Sequence, residues 1–246
     1  MMKGKVYLVG AGPGDVDLIT VRGLDVLRRA DVVVHDALID AGILDECKGA
    51  ELIDAGKRGG DHKMTQGEIN DTLVRLAAEG KTVVRLKGGD PFLFGRGAEE
   101  AAELIKAGAE VHVVPGVSSS ISVPELAGIP LTHRDHASMV TIATGHERSD
   151  RDGDRMDWER LAPLGGTVVV LMGIGNSEQI SKGLTDGGMD PRTPAAVIVR
   201  EDGRQRAETS TLGNLTSMIA EKGMKAPGII VIGDVVKERG VLGDLD

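Results

Sequence analysis

Three glycine-rich segments hold the residue types from which a ligand site can be built. The first is Gly10-Ala11-Gly12-Pro13-Gly14-Asp15. Glycines packed this closely let the backbone turn sharply and lie against a ligand. Asp36 follows ~20 residues on, about where a dinucleotide-binding turn places its ribose-binding acid. The match fails in detail, because Asp15 occupies the third glycine position, Pro13 sits inside the turn, and Asp17-Leu18-Ile19-Thr20 delays the helix whose N-terminus would receive a pyrophosphate. Taken alone, the segment is open to two readings, an NAD-binding oxidoreductase or a plain tight turn.

The second segment is more specific: Arg85-Leu86-Lys87-Gly88-Gly89-Asp90-Pro91-Phe92-Leu93-Phe94-Gly95-Arg96-Gly97. Adjacent glycines at a strand end let backbone groups approach a flat ligand, and Asp90 can accept from a hydroxyl or an amine. A loop that merely caps a sheet edge does not require three cations, an acid and two aromatics. The third segment runs from Val114-Pro115-Gly116-Val117-Ser118-Ser119-Ser120 to Leu131-Thr132-His133-Arg134-Asp135. Its serines can cap a helix, bind a ligand, or do both.

These segments need a frame that brings strand ends together, and the hydrophobic pattern supplies one. Residues 5–9, 31–35, 51–54, 82–86 and 110–114 read as strands rich in Val and Ile, alternating with helical patterns over 20–30, 65–79 and 97–107. Thr65-Gln66-Gly67-Glu68 has the form of a capping box. Strands apolar on both faces predict a mainly parallel sheet covered by helices. After Pro115-Gly116 the pattern restarts, with a helix over 118–127 and strands at 139–143, 167–171, 195–199 and 229–232. The fold class is therefore α/β, with a boundary between residues 116 and 117. The polar stretch 147–157 reads as an exposed loop.

Composition narrows the function classes. The 246 residues have a formal charge of −9, against a nucleic-acid coat, and too few aromatics for a stacking platform. No apolar run reaches membrane-spanning length and the first residues lack a signal-peptide pattern, so a cytoplasmic protein is expected. Cys47 is the only cysteine, which excludes an internal disulfide and a Cys-based metal or redox motif.

The segments VYLVGAGPGDVDLIT, GKRGGDHKMTQGEIN, VVRLKGGDPFLFGRGAEE, VPGVSSSIS, AGIPLTHRD and TGHE closely resemble the S-adenosylmethionine-dependent tetrapyrrole methylases, and within them the branch acting on uroporphyrinogen III. The resemblance covers nearly the whole chain. It implies an α/β fold of two lobes, 1–116 with a mainly parallel sheet and 117–246 with a mixed sheet, with the methyl donor between them and a homodimeric assembly. It implies C-methylation of uroporphyrinogen III at C2 and C7 to precorrin-2, for sirohaem or cobalamin synthesis. A methylase of a later precorrin is the same-fold alternative. The family's S-adenosylmethionine contacts carry over to Pro13, Gly88, Gly89, Asp90, Leu93, Ser118, Ser119 and Met172, and a further one is expected within 199–201. The chain ends after the methylase portion, so the other activities of fused sirohaem synthases are expected to be absent.

A tetrapyrrole ringed with carboxylates needs cations gathered locally. Candidates form three clusters: Lys57, Arg58, His62 and Lys63; Arg85, Lys87 and Arg96; His133, Arg134 and His136. Arginine suits the task because its fork pairs with a carboxylate through two hydrogen bonds. Displacement at a sulfonium carbon needs no metal or covalent nucleophile, but it does need a base for the leaving proton. The resemblance offers Asp36 with Lys57 as one proton-handling pair and Glu99, close to the substrate-anchoring candidate Arg96, as the rival. Asp36 and Lys57 can equally form a structural ion pair, and Glu99 can be a first-turn acid favoured by its helix dipole. Two positions depart from the family pattern: Ala37, where an arginine is common, and Leu171, where a tyrosine is common.

Overall fold

The computed structural model describes residues 4–56, 64–146, 156–201 and 203–246. The cluster Lys57, Arg58, His62 and Lys63 lies outside them, as does 147–155 of the polar stretch. The chain divides into two compact units, Met1–Ser119 and Ser120–Asp246.

The first unit runs β1 (Lys5–Gly10), α1 (Val21–Leu27), β2 (Val32–His35), α2 (Ala41–Leu44), β3 (Glu51–Asp54), α3 (Gln66–Ala78), β4 (Thr82–Lys87), α4 (Gly97–Lys106) and β5 (Glu110–Val114). Every strand pairing is parallel and the order is β3-β2-β4-β1-β5. Alternate residues of β1 explain the two layers of cover. Val6 and Leu8 pack with Ile69, Leu73 and Leu76 of α3 and Leu104 of α4, while Val9 packs with Val26 and Leu27 of α1 and with Ile43. The capping box is present: Thr65 Oγ1 accepts from Glu68 N at 3.2 Å and Glu68 Oε2 from Thr65 N at 2.6 Å. It satisfies two backbone donors at the start of α3.

The second unit holds most of α5 (Ser119–Leu126), then β6 (Val140–Thr144), α6 (Trp158–Leu161), β7 (Thr167–Leu171), α7 (Ser177–Asp186), β8 (Pro194–Glu201), β9 (Arg204–Thr211), α8 (Leu215–Lys222), β10 (Gly228–Ile232) and α9 (Arg239–Leu242). Its sheet has the order β6-β7-β10-β8-β9. β6 and β7 are parallel and the remaining pairings antiparallel, a mixed sheet. Its core again has two faces, with Val168 and Val170 packing beside Leu184 of α7 and Met218 of α8, and Val169 beside Ala127 and Val235.

One strand escapes the hydrophobic pattern. β9 reads RQRAETST and pairs only with β8, at the sheet edge. An edge strand needs no apolar residues on both faces, and charged side chains there discourage pairing with another chain. Among the described residues no helix is long and apolar enough to cross a membrane.

Candidate active site

β1 and β4 are neighbours, yet the chain leaves β1 toward β2 and β4 toward β5, on opposite sides of the pair. The gap at their carboxyl ends is thus the topological switch point of the sheet, where open α/β sheets bind ligands. The loops that follow these strands are tied there by backbone. Gly89 N donates to Gly12 O at 2.8 Å, Gly12 N to Gly89 O at 3.3 Å, and Ala11 N to Lys87 O at 2.8 Å. Gly12 (φ +82°) and Gly89 (φ +64°) occupy the left-handed region that favours glycine.

The loop after β5 joins the other two by close approach. A Cβ on Gly10 would fall 2.6 Å from Gly116 Cα, and one on Gly116 would fall 2.3 Å from Gly89 O. Asp90 completes the junction: its Oδ1 accepts from Phe92 N at 2.8 Å and its Oδ2 from Gly116 N at 3.2 Å. Its carboxylate therefore shapes two loops. Ser119 N lies 3.6 Å from the Cβ position of Gly89 and Ser118 Cα 4.0 Å from it. Gly88 differs from its neighbours, being exposed with nothing within 4 Å of its Cβ position. The side of Gly88 is thus open, and the backbone ties and close approaches bring the segments containing Pro13, Gly88, Gly89, Asp90, Ser118 and Ser119 together. Leu93 lies three residues beyond Asp90, half-buried.

Beneath the junction is a buried charge network. Glu100 on α4 is fully buried (0% exposed), with Arg85 at 2% and Lys87 at 3%. Glu100 Oε1 accepts from Lys87 Nζ at 3.0 Å, Arg85 Nε at 3.2 Å and Gln66 Nε2 at 3.0 Å. Its Oε2 is buried with no hydrogen-bond partner. Arg85 also donates to Asp36 Oδ1 at 2.5 Å. Burial, reinforced by the neighbouring Arg85 charge, holds the Lys87 ammonium below the usual lysine range. This corrects the expectation that Arg85 and Lys87 gather substrate carboxylates: both face inward on β4 and are already paired. Asp36 is half-exposed and anchored by Arg85, and its proposed companion Lys57 lies outside the described residues. Glu100 was missed in the sequence, although it shares the buried side of α4 with Gly97, Ala101 and Leu104. A charged residue at a core-facing helical position was the available signal.

Arg96 and Glu99 meet directly. Arg96 donates to the Glu99 carboxylate from Nη2 at 2.6 Å and from Nε at 3.1 Å, both side chains half-exposed. Arg96 (φ +59°), Phe94 (φ +53°) and Met172 (φ +56°) are the non-glycine residues with positive φ among those described. Each such conformation costs an L residue about 1–2 kcal/mol. Strain of this kind collects at functional sites, and all three residues lie in segments already singled out for ligands.

In the second unit, Met172 is exposed directly after β7. There the loops after β6 and β7 touch through glycines, a Cβ on Gly145 falling 2.4 Å from Gly173 Cα. Arg134 is exposed in the turn closed by the His133–Ala137 bridge. Its neighbours in the expected cation cluster are engaged: His136 Nε2 lies 2.9 Å from Glu238 Oε1, and His133 Nδ1 accepts from Asp135 N at 3.2 Å. The candidate ligand atoms of His133, His136 and Glu238 lie within 4.8 Å of one another. That limit exceeds the about 3.3 Å between ligand atoms in a tetrahedral zinc shell. Among the described residues, Arg134 is thus the exposed cation of the cluster.

The dinucleotide reading of the first segment loses its support. A 3-10 turn, Val16–Leu18, separates the glycines from α1, whose N-cap Thr20 accepts from Gly23 N, and the Asp36 carboxylate is held by Arg85.

Comparison with known proteins agrees with this fold. The family model for Tetrapyrrole (Corrin/Porphyrin) Methylases matches residues 5–218. The S-adenosyl-L-methionine-dependent uroporphyrinogen III methyltransferase of Methanosarcina barkeri is 49% identical over 243 residues, covering 98% of this chain and 95% of that one. The crystal structure of a uroporphyrin-III C-methyl transferase from Thermus thermophilus, complexed with S-adenyl homocysteine, superposes with a TM-score of 0.82 at 36% identity, covering 98% of each chain. A cobalt precorrin-4 methyltransferase reaches the same TM-score of 0.82 at 29% identity, covering 94% of this chain and 95% of that one. Three glycine loops converging at the switch point of a parallel sheet, with a mixed-sheet unit following, are thus the features of a chain that belongs to the tetrapyrrole methylase family.

Proposed function

We propose that the protein is a uroporphyrinogen-III C-methyltransferase, transferring methyl groups from S-adenosylmethionine to C2 and C7 of uroporphyrinogen III to form precorrin-2. The observation that carries this reading is the 49% identity, over nearly the full length of both chains, to a relative described by that donor and substrate. S-adenosylmethionine fits the residues present: the open flank of Gly88 accepts a flat ligand, and Pro13, Gly89, Asp90, Leu93, Ser118, Ser119 and Met172 are the further residues assigned to hold it. When bound, it supplies an electrophilic methyl group on a sulfonium.

The chain's own residues supply position, charge and a base. Holding two reacting atoms in line at near-contact distance is worth about 7–11 kcal/mol. Arg96 and Arg134 are assigned to substrate carboxylates, which they can engage through paired hydrogen bonds. Asp36, held by Arg85, and Glu99, held by Arg96, are the two candidate acceptors for the proton that leaves the methylated pyrrole. A general base contributes typically 10²–10⁴-fold. On the same reading the enzyme is a cytoplasmic homodimer that feeds sirohaem or cobalamin synthesis, and light scattering of the purified protein tests the dimer.

The deciding experiment is an anaerobic incubation with uroporphyrinogen III and S-adenosylmethionine, followed by mass analysis of the oxidised tetrapyrrole. A gain of two methyl groups is expected. No gain, with S-adenosylhomocysteine still bound, would overturn the substrate and favour a later precorrin.

A further inference from the structure

Aromatic side chains are scarce in this chain, and two of the four stand in the open. Trp158 is buried in the second unit, and Tyr7 stacks on His112 with ring centroids 4.9 Å apart. Both phenylalanines belong to one loop, two residues apart, with Phe92 52% and Phe94 41% exposed. Leu93 between them is half-buried. A loop whose only task was to connect β4 to α4 would gain nothing from leaving large apolar rings in water.

Phe94 is also in the left-handed region, with φ +53°. A bulky L residue there is a true outlier, and it persists only where the surroundings over-determine it. The loop does so. Gly97 N donates to Pro91 O at 3.0 Å, and Asp90 Oδ1 accepts from Phe92 N at 2.8 Å. A Cβ on Gly95 would fall 2.8 Å from Pro91 O, and one on Gly97 would fall 2.4 Å from the same oxygen and 3.0 Å from the Phe92 ring. These close contacts flank Phe94 on both sides, and the Phe92 ring lies against Gly97, the first residue of α4. Glycine would meet the backbone demand at position 94 without strain and asparagine with less than phenylalanine, so the backbone conformation gives no reason for a ring there.

We infer that Phe92 and Phe94 form an apolar rest for the pyrrole faces of the tetrapyrrole, with Arg96 two residues on at its carboxylate rim. The inference deepens the proposed function and rests on it. The chemistry fits: a pyrrole ring offers a flat, electron-rich, apolar face, against which an aromatic edge or offset ring packs well, while its peripheral carboxylates call for a guanidinium. The rest lies one short loop from Gly88 and Asp90, at the carboxyl edge of the same sheet. Phe94 thus determines substrate binding, through a conformation that the loop enforces.

The test uses Phe94→Asn, which suits the left-handed backbone but removes the apolar face, Phe94→Tyr, which keeps the ring, and Phe92→Ala as a second, unstrained site. In Phe94→Asn the tetrapyrrole KM should rise at least tenfold, with S-adenosylhomocysteine affinity within twofold and a thermal midpoint no lower than that of the wild type. Phe94→Tyr should keep KM within threefold, and Phe92→Ala should raise it. An active wild type whose KM is unchanged within twofold by both Phe94→Asn and Phe92→Ala overturns the inference. So does a loss of the native oligomer in these variants with KM intact, which would make the rings a subunit contact. A wild type that ignores uroporphyrinogen III altogether overturns the substrate reading, and this inference with it.

Discussion

Arg85 Nε donates to Glu100 Oε1 at 3.2 Å, with both side chains almost wholly out of solvent. The same oxygen accepts from Lys87, and Arg85 continues to Asp36. One buried carboxylate therefore pairs with two buried cations beneath the glycine junction, and Asp36 supplies the second negative charge. Removing Glu100 leaves charges that water cannot reach, which typically costs about 3–5 kcal/mol. Glu100→Leu is expected to lose that much in urea denaturation, and Glu100→Gln, which keeps an acceptor oxygen, less. A Glu100→Leu variant with wild-type stability would show that the network does not support the site.

The junction itself is testable through two glycines of opposite surroundings. Gly116→Ala must push apart the backbones of Gly10 and Gly89, whereas Gly88→Ala meets nothing within 4 Å. Thermal melts should show the first destabilised by 1 kcal/mol or more and the second by no more than about 0.5 kcal/mol. Calorimetry should nevertheless find S-adenosylhomocysteine weakened about tenfold by Gly88→Ala, because the ligand then needs the space the protein leaves free. Unchanged affinity would take Gly88 out of the donor site.

Asp36→Asn and Glu99→Gln separate the two candidate bases. The essential one should lose about 10²-fold or more in kcat with little change in donor affinity. Glu99 also holds Arg96, so if its role is positional, Glu99→Gln should raise KM more than it lowers kcat. The variant that retains wild-type kcat in single-turnover measurements loses its claim.

Arg134 is exposed in the second unit, without an ion-pair partner among the described residues. A charge-assisted hydrogen bond contributes about 1.5–3 kcal/mol, so Arg134→Ala should raise the tetrapyrrole KM about tenfold or more. Fold stability and S-adenosylhomocysteine binding should not change. Steady-state kinetics with unchanged KM would remove Arg134 from the residues assigned to substrate carboxylates.

Cys47 is buried, and desolvation pushes its thiol from 9.0 up to about 11, so at pH 8 it should resist alkylation until the protein unfolds. The unfolded thiol ionises first, so this group's contribution to stability falls as pH rises from 9.0 toward 11. Lys87 acts in the opposite sense. Its folded pKa lies below 10.5, the unfolded chain holds more protons in the range just under that value, and stability rises with pH there. Chemical denaturation across alkaline pH should therefore steepen its decline in Lys87→Met and flatten it in Cys47→Ala. Equal profiles for wild type and variants would refute both assignments.

Much of this protein is decided locally and can be read in order along the chain. The β-branched runs of β1, β2, β4 and β5, the Thr65–Glu68 capping box and the glycine turns after β1, β4 and β5 each follow from neighbouring residues, because side-chain periodicity and backbone freedom are short-range properties. β9 was not legible, since an edge strand of polar residues lacks the apolar alternation that a buried sheet face imposes.

What only the tertiary structure decides is which of these local pieces meet. The order β3-β2-β4-β1-β5 sets β1 between β4 and β5, and this brings Gly10, Gly89 and Gly116 into contact from distant parts of the sequence. A charge count cannot tell an inward cation from an outward one; packing turns Arg85 and Lys87 onto buried Glu100 and leaves Arg96 half-exposed. Nor does a phenylalanine in a sequence announce its φ. The left-handed turn at Phe94 sits in a loop where Gly95 and Gly97 lie close against the Pro91 carbonyl, contacts that exist only once the β4–α4 connection is packed.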